Sequence, residues 1–353
     1  VNWYIAKYKA DQKFSFIRHN VLKSAPFKID HITVENMGSS PIPNLVGWRN
    51  IVHFFFWGIA ATLLSLFDLI RGRWWHPFIL NQSMLSKQME LTHPSRIAKE
   101  YLFHNSNQTY RPLWTYKAEK LGSEITLYFY STNVEGFKTK KGYRSPTYAW
   151  RCMSWPKYLV WNDFQANFVR RALNFDAIIK IVGPVWFSDS SHNQISESKN
   201  SIAVFGVTPH RFTKRFLHGD ELEYYWPNNC IAFLDNIFEA ASDVGFNCFF
   251  KMKRNSGSFI DKKFKNFVDE KLKNPIVTAI APEISALNLI KASNIVISMP
   301  FTATANIAKE LGKPSCFYDP LRLLQIDDRA AHGIPIINNP KALATWMLIH
   351  KLN

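Results

Sequence analysis

The chain has 353 residues, of which 47% are hydrophobic and 20% are charged. A chain of this length holds about two domains, and its composition excludes an intrinsically disordered protein. The formal net charge of +16 predicts attraction to polyanions, whether phosphorylated substrates, anionic membranes or nucleic acid. The four cysteines lie far apart in the sequence without metal-ligand spacing, so we expect a reducing compartment, no disulfide framework and no structural zinc.

An uncharged apolar stretch, IVHFFFWGIAATLLSLF, covers residues 51–67. Its length is at the short limit for crossing a bilayer, about 17 to 25 residues. Both flanks carry aromatic and basic residues, for example Trp48 and Arg49 before it and Arg73 and Trp74 after it, so the charge asymmetry of a spanning helix is missing. We expect a helix that lies in, or dips into, the cytoplasmic leaflet, with a buried core helix as the alternative. Because the first residue is Val1 rather than Met, we also expect the true N-terminus to lie upstream.

From about Arg96 onward, short apolar strands alternate with amphipathic helices, which predicts parallel sheets covered by helices. In the first block, the predicted strands are KEYLFHNSN (ending at His104), ITLYFYSTN, YLVWND and AIIKIVGPVWF. The predicted helices between them are TYRPLWTYKAEKLGSE, closed by Gly122, and QANFVRRALNF.

A polar segment at 190–200 is predicted as a linker, and a second block of the same kind follows it. Its predicted strands are SIAVFGVTP, FNCFFKMKR, PIVTAIAP and NIVISM, and its predicted helices include NCIAFLDNIFEAASDVG, DKKFKNFVDEKLKN and ISALNLIKA. We therefore predict an α/β protein with two Rossmann-like domains facing a cleft, over 96–189 and 201–353. A helical, membrane-associating N-terminal region over 1–95 precedes them.

The last predicted strand runs directly into PFTATANIAKELGKP. Pro300 ends the strand, and Thr302 or Thr304 is predicted to cap the helix that follows, which closes at Gly312. The N–H groups of such a helix start, with the two threonine hydroxyls, favour a bound phosphate. The alternative is that the threonines only cap the helix.

A cationic strand end belongs to the same predicted sheet. FFKMKRN places Lys251 and Lys253 on one face of the strand, with Arg254 at the turn. Such charges stabilise the negative charge that develops on a departing nucleotide phosphate, although an exposed basic strand end explains them equally well.

Several segments, in order, resemble the polysaccharide biosynthesis PFTS-motif family of bacterial surface-carbohydrate clusters over about residues 70 to 330. The segments are LFHNSNQTYRPLW, YLVWNDFQ, IVGPVWFSD, IAVFGVTPHR, KMKR and ISMPFTATANIAKELGKPSCFYDP. This chain has PFTA at the position of the name-giving motif, so Ala303 replaces a serine. The layout more distantly resembles GT-B glycosyltransferases, particularly those that use CMP-linked ulosonic acids.

The GT-B resemblance implies a metal-independent glycosyltransferase with no bound cofactor. Its donor would be a nucleotide-sugar, held in the C-terminal domain by a set of polar residues: Lys251, Lys253, Arg254, Glu283, Ser298, Thr302 and Thr304. Where those enzymes carry a His-Pro motif, this chain has its Lys/Arg strand end, so the nucleotide is left unassigned.

Deprotonation of the acceptor hydroxyl requires a general base, and His104 and Asp163 each follow a predicted strand. We expect one of them to be the base and the other to orient it, against the alternatives of a structural histidine and a capping aspartate. Tyr110 and Arg111 are candidates for binding a lipid-linked or glycan acceptor. Glu283 is a candidate for the donor ribose, with helix capping as the alternative.

The sequence thus predicts a glycosyltransferase on the cytoplasmic face of the bacterial inner membrane, peripheral or monotopic. Two alternatives stay open: a sugar-nucleotide epimerase or hydrolase on the same fold, and a non-enzymatic polyanion-binding protein. The basic residues are dispersed and no nucleic-acid-binding motif is present, so we expect no nucleic-acid partner.

Overall fold

The computed structural model describes residues 16–19, 27–29, 32–36, 40–105, 110–132, 135–143, 145–146, 148–173, 175–184, 198, 200–210, 223–252, 257–300 and 302–352. The chain divides into two compact units that interleave along the sequence. The first unit comprises Val1–Tyr130, Thr147–Val160 and Val169–Val182, and the second comprises Ser131–Pro146, Trp161–Phe168 and Gly183–Asn353. The sequence predicts consecutive domains instead, and it places Ser131–Pro146 and Trp161–Phe168 in the first of them. The predicted linker lies outside the described residues apart from Ser198 and Asn200.

The first unit begins with a small three-stranded sheet that the sequence analysis does not foresee. Its strands are β1 (Phe16–His19), β2 (Phe27–Ile29) and β3 (Ile32–Asn36), in the order β1-β3-β2. The central strand β3 pairs in parallel with β1 and antiparallel with β2.

Two helices then form an antiparallel hairpin, α1 (Trp48–Ile70) and α2 (Trp75–Glu90). The side-chain amide of Asn50, at the start of α1, donates to the carbonyl oxygen of Leu91 beyond the end of α2 (3.3 Å). Gln88 near the same end donates to the carbonyl oxygen of Pro43 (3.0 Å). The two outer ends of the hairpin are therefore side by side, and the chain returns to the side from which it came.

No residue of α1 is buried. Its half-buried residues follow helical spacing and face α2, where the Met84 methyl lies 3.8 Å from the position that a Cβ on Gly58 would take. An 18-residue window of α1 has a mean hydropathy of 1.7, which makes the helix long and apolar enough to cross a membrane by length and composition. The alternative of a buried core helix is thus wrong.

A four-stranded parallel sheet forms the core of the first unit, in the order β4-β5-β6-β7. The elements are β4 (Glu100–His104), α3 (Leu113–Lys120), β5 (Glu124–Tyr128), α4 (Tyr148–Arg151), β6 (Lys157–Val160), α5 (Asp163–Ala172) and β7 (Ile178–Ile181). The rings of Tyr101 and Trp114 pack edge to face with centroids 4.9 Å apart, and those of Phe103 and Trp155 are 4.8 Å apart. All four predicted strands are present.

The second unit contains a six-stranded parallel sheet in the order β10-β9-β8-β11-β12-β13. Its elements are β8 (Ser201–Phe205), α6 (Pro227–Val244), β9 (Asn247–Lys251), α7 (Lys262–Lys271), β10 (Val277–Ile280), α8 (Ala286–Ala292), β11 (Ile295–Ser298), α9 (Thr304–Glu310), β12 (Ser315–Tyr318), β13 (Ile336–Ile337) and α10 (Pro340–Leu352). The predicted α/β class with parallel sheets is confirmed. The arrangement of the two domains around a cleft stays a prediction.

Asp319 anchors the turn that follows β12 in the second unit. It is fully buried, and its carboxylate accepts hydrogen bonds from the Tyr224 hydroxyl (2.9 Å) and from the backbone N–H groups of Leu321, Leu323 and Leu324. Each carboxylate oxygen therefore has partners, which offsets the cost of burying the charge.

We expect Asp319→Asn to lower the free energy of unfolding by about 2 kcal/mol, because the amide NH₂ would face the N–H donors of Leu323 and Leu324. Denaturant titration measures the change. The control is Asp327→Asn, since Asp327 is exposed and, among the residues that the structure describes, forms an ion pair with Lys138 alone, at 3.2 Å. Equal losses in both variants would contradict the anchoring role.

Candidate functional site

The carboxyl edge of the second sheet carries one row of residues in register across five strands. The backbone pairs join Ile280 to Lys251, Lys251 to Phe205, Phe205 to Ser298, and Ser298 to Phe317. Residues paired in this way project to the same face of a sheet, so the side chains of Lys251 and Ser298 leave the same face on either side of Phe205. Their backbones are two strand spacings apart, about 10 Å.

This edge contains the point at which the strand order reverses. From β8 the chain adds β9 and β10 on one side, and it then crosses to place β11, β12 and β13 on the other. The order is that of a doubly wound dinucleotide-binding sheet, in which ligands bind outside the carboxyl ends of the strands where the order reverses. The described residues after β11, namely Met299, Pro300, Thr302, Ala303 and Thr304, lie at this switch point between β8 and β11. The four-stranded sheet of the first unit keeps its described strands in sequential order, β4-β5-β6-β7, without such a reversal.

A chain of hydroxyl groups follows β11. The hydroxyls of Ser298 and Thr304 are 2.8 Å apart, Thr304 donates to the Thr302 hydroxyl (3.4 Å), and Thr302 donates to the carbonyl oxygen of Met299 (2.7 Å). Ser298 is buried, whereas Thr302 and Thr304 are half-buried. Three residues predicted for the donor site are thus linked through Thr304, which contacts both Ser298 and Thr302.

The prediction that Thr302 or Thr304 caps the helix is wrong. The N-cap of α9 is Ala303, no side chain caps it, and Thr304 is the first helical residue. Both threonine hydroxyls contact other oxygen atoms rather than the backbone N–H groups of the first turn. The helix has two turns only, which makes the side-chain hydroxyls the more substantial feature of this edge.

Lys251 is 8% exposed, and its ammonium donates to the carbonyl oxygens of Ala281 (3.4 Å) and Pro282 (3.0 Å). Burial lowers the pKa of Lys251, and the carboxylate of the exposed Glu283 opposes this shift. The lysine thus ties the end of β9 to the loop after β10 at the switch-point edge. The predicted partners Lys253 and Arg254 lie outside the described residues.

His104 is the last residue of β4 in the first unit and is half-buried. Its ring centroid is 5.7 Å from that of Tyr128 and 6.3 Å from that of Tyr130. Burial lowers the pKa of His104, so the ring is neutral at neutral pH and is able to accept a proton. This is the protonation state that a general base requires.

Asp163 is the first residue of α5, in the part of that helix that belongs to the second unit, and it is exposed. The helix is capped by Asn162 instead, whose side-chain oxygen accepts from the N–H of Gln165 (3.1 Å). Gln165 in turn accepts from the N–H of Trp161 (2.9 Å), the residue before Asn162, so both side chains bond to the backbone at the start of the helix. The capping alternative for Asp163 is therefore wrong, while its catalytic role stays a prediction.

Tyr110 is exposed, but Arg111 is buried. The Arg111 guanidinium donates to Glu119 (2.5 Å), to Thr115 and to the carbonyl oxygen of Ser154, and it stacks over the Tyr116 ring at 3.8 Å. These contacts lie within the first unit and favour a structural role for Arg111. Acceptor binding by Tyr110 and Arg111 stays a prediction.

The sequence analysis misses a buried histidine in the second unit. His332 is 2% exposed, its Nδ1 accepts from the Asn162 amide (3.0 Å), and its ring stacks on Phe164 with centroids 5.5 Å apart. Lys309 donates to the His332 carbonyl oxygen (2.7 Å). Burial, and secondarily the Lys309 charge, lowers the pKa of His332 to about 4. No local motif in AAHGIP signals this environment, because its partners are distant in sequence.

Within the described parts of the chain, no group of three or more His, Cys, Asp or Glu residues is arranged to hold a metal ion. The four cysteines are free thiols. Burial raises the pKa of both Cys230 and Cys248 to about 12, which makes these two thiols poor nucleophiles at neutral pH.

The fold is that of an α/β protein with a doubly wound parallel sheet. A comparison with family models identifies the family. The model of the polysaccharide biosynthesis PFTS motif protein family matches residues 57–347. The chain belongs to this family, which confirms the resemblance drawn from its sequence. A comparison with curated protein sequences finds no significant match.

Solved structures with a similar fold include TarM, which aligns with a TM-score of 0.43 and 12% identity over 76% of this chain and 51% of TarM. The chain thus spans about half the length of TarM. The wall teichoic acid polymerase TagF aligns with a TM-score of 0.42 and 12% identity over 82% of this chain and 87% of TagF. Phytolacca americana UGT2, solved with UDP-2-fluoro-glucose and pterostilbene, aligns with a TM-score of 0.38 and 11% identity over 92% of this chain and 72% of UGT2.

Proposed function

We propose that this chain is a membrane-associated glycosyltransferase of bacterial surface polysaccharide biosynthesis. It transfers a sugar from a nucleotide-sugar to a lipid-linked or glycan acceptor. Membership of a polysaccharide biosynthesis family supports the pathway class. The single observation that carries the donor site is the hydroxyl chain of Ser298, Thr304 and Thr302 at the switch point of a doubly wound sheet.

The donor phosphate binds at this edge because the available groups are polar and partly cationic. Thr302 and Thr304 are half-buried and turn their donors to neighbouring oxygens, so a phosphate is bound when these hydroxyls rotate toward it. Lys251 holds the neighbouring strand end in place and supplies a positive charge on the same face of the sheet. Hydrogen bonds to a charged phosphate are stronger than those between neutral groups.

The transfer step needs no metal in this proposal. The acceptor hydroxyl oxygen attacks the anomeric carbon, and the bond between that carbon and the phosphate oxygen breaks. The electron pair of the broken bond leaves with the nucleotide, whose negative charge the hydroxyls and the lysine stabilise. The acceptor proton passes to a general base, for which the neutral ring of His104 is the better-supported of the two candidates. Asp163 is the orienting candidate.

Membrane association rests on α1. Its outer face is apolar and exposed, and both ends carry tryptophan and arginine, at Trp48 and Arg49 and at Arg73 and Trp74. Because the outer ends of the hairpin are side by side, an orientation with α1 along the cytoplasmic surface of the membrane fits better than a crossing helix. Aromatic and basic side chains at both ends of α1 then meet the headgroup region.

We expect Thr302→Ala to lower the rate of nucleotide release from a nucleotide-sugar, in the presence of bacterial membranes, by about ten- to a hundredfold. The loss of one hydrogen bond to a charged phosphate costs about 1.5 to 3 kcal/mol, and each 1.4 kcal/mol corresponds to tenfold. The matched control is Thr345→Ala on α10, whose hydroxyl also donates to a backbone carbonyl oxygen, that of Lys341 (3.0 Å). Full activity of Thr302→Ala would remove the donor-site assignment.

A panel of nucleotides identifies the donor by thermal stabilisation, because a ligand bound only by the folded protein raises its melting temperature. A response to CMP points to CMP-linked ulosonic acids, and a response to UDP or GDP points to hexose donors. Nucleotide release that does not depend on an acceptor would favour the epimerase or hydrolase alternative. No response to any nucleotide, together with salt-sensitive binding to polyanions, would favour a non-enzymatic role.

A further inference from the structure

A groove beside α1 belongs to the first unit, whereas the switch-point edge belongs to the second. Its volume is ≈ 370 Å³. Two helices line it with residues at i, i+3, i+4 and i+7, so each contributes one stripe of its surface. The lining residues are Trp57 of α1, Ser83, Ser86, Lys87 and Glu90 of α2, and Leu113, Tyr116, Lys117 and Lys120 of α3.

The charge of this groove is positive. Lys87 and Lys117 both contact Glu90, at 2.9 and 2.8 Å, and these hydrogen bonds hold the pKa of the Glu90 carboxyl at about 2. Glu90 is therefore ionised at neutral pH and fixes the two ammonium groups near each other. Lys120 is exposed and forms no ion pair with any residue that the structure describes. With three lysines against one glutamate, the groove has an excess of positive charge that suits an anion.

The walls of the groove are divided by polarity. Trp57 and Leu113 supply apolar surface, and Trp57 belongs to the helix that meets the membrane in the proposed function. The lysines and the two serines supply the polar surface. Tyr116 is held in place by its hydrogen bond to the Ser154 hydroxyl (2.8 Å) and by Arg111 stacked on its ring. A ligand that matches both walls has an anionic head and an apolar tail.

We propose that this groove binds the phosphate or diphosphate head of a lipid embedded in the membrane, with the start of its hydrocarbon chain against Trp57 and Leu113. The proposal rests on the proposed function, in which α1 lies on the membrane, and it deepens that function by assigning the acceptor class. The glycan of such an acceptor is attached to the phosphate that the groove binds, and the hydrocarbon chain anchors that phosphate in the membrane. The occupant is the lipid, not a free anion, because the groove adjoins the membrane helix.

The test measures flotation of the full chain with phosphatidylcholine vesicles that contain a polyprenyl phosphate or, as control, the corresponding polyprenol. We expect the polyprenyl phosphate to increase the vesicle affinity about tenfold, because its phosphate pairs with the lysines of the groove. The double variant Lys117→Gln/Lys120→Gln should lose this increment and keep its affinity for the polyprenol vesicles. The matched control is Lys262→Gln/Lys265→Gln on α7, which removes the same charge from two exposed lysines with the same spacing.

Three results would overturn the proposal. In the first, the groove variant keeps the gain in vesicle affinity that the polyprenyl phosphate gives. In the second, the α7 variant loses this gain to the same extent as the groove variant, which indicates attraction by net charge alone. In the third, inorganic pyrophosphate raises the melting temperature of the unmodified chain while polyprenyl phosphate leaves vesicle affinity unchanged, which indicates a site for soluble anions. Nucleotide release is measured on the same preparations. If lipid binding is intact but no nucleotide is released, glycosyl transfer is refuted and the groove assignment stands. If nucleotide is released but the groove binds no lipid phosphate, the groove assignment alone is refuted.

Discussion

The double substitution Phe56→Asp/Leu63→Asp should reduce binding of the chain to anionic phospholipid vesicles more than a hundredfold. The two residues are seven positions apart on the same face of α1, and they are 65% and 61% exposed. Burial of each side chain in the membrane contributes about 1.5 to 3 kcal/mol, and the substitutions remove both contributions. The added carboxylates are also repelled by anionic headgroups, at about 1 kcal/mol per charge. Flotation with vesicles of phosphatidylethanolamine and phosphatidylglycerol measures the loss.

A matched double variant distinguishes membrane contact from a general effect of acidic substitution. Leu348→Asp/Ile349→Asp on α10 changes two exposed apolar residues of the second unit in the same way. We expect this variant to bind vesicles as the unmodified chain does. If both double variants bind equally well, α1 does not carry membrane association. Because Phe56 and Leu63 are exposed, circular dichroism should show an unchanged fold for either variant.

The strands and helices from Arg96 onward follow from the sequence because their apolar residues are arranged with the period of the element that buries them. Helix α6 is an example, since its buried residues Phe233, Leu234, Ile237 and Ala241 recur at helical spacing, whereas β11 is marked by a short apolar run that is buried throughout. The hairpin partner α2 is missed, because its polar and apolar residues lack a clear helical period. Because the helical period of α2 is unclear, the sequence does not show that the apolar stretch at 51–67 is one arm of a hairpin.

The candidate site is foreseen only where it depends on local sequence. Thr302 and Thr304 were placed at the carboxyl edge of the last long strand because a strand followed by proline and threonine marks that edge, and the structure places them there. The predicted helix cap is wrong, because the N-cap is Ala303 and the two threonine hydroxyls contact oxygen atoms instead. Arg111 is similar, because one of its hydrogen-bond acceptors, the carbonyl oxygen of Ser154, is 43 residues away.

The unit composition also depends on distant contacts. Ser131–Pro146 and Trp161–Phe168 belong to the second unit, although the sequence places them between strands of the first. The attachment of Ser131–Pro146 includes hydrogen bonds from Asn306 to the Thr132 hydroxyl (3.0 Å) and from Tyr143 to the Asp328 carboxylate (2.9 Å). Neither bond has a signal in the local pattern, because each joins residues more than 170 positions apart.

The buried histidine of the second unit should make the stability of the chain depend on pH between about 4 and 6.5. Burial lowers the pKa of His332 from 6.5 to about 4, so in this range the unfolded state binds a proton that the folded state does not. The free energy of unfolding therefore increases as the pH is raised across this window and decreases as the pH is lowered through it. A difference of this size between folded and unfolded pKa corresponds to about 3 kcal/mol, or more than a hundredfold in the folding equilibrium.

The measurement is denaturant titration at several pH values for the unmodified chain and for His332→Asn. Asparagine tolerates the positive φ of 55° at this position and keeps an acceptor for the Asn162 amide. We expect the variant to be less stable at pH 7, because it loses the contact with the Phe164 ring, and to lack the His332 part of the pH dependence. His350→Asn on α10 is the control and should retain the full dependence. An unchanged slope in His332→Asn would show that other groups cause it, since a buried ring that does not titrate in this window cannot couple folding to protons.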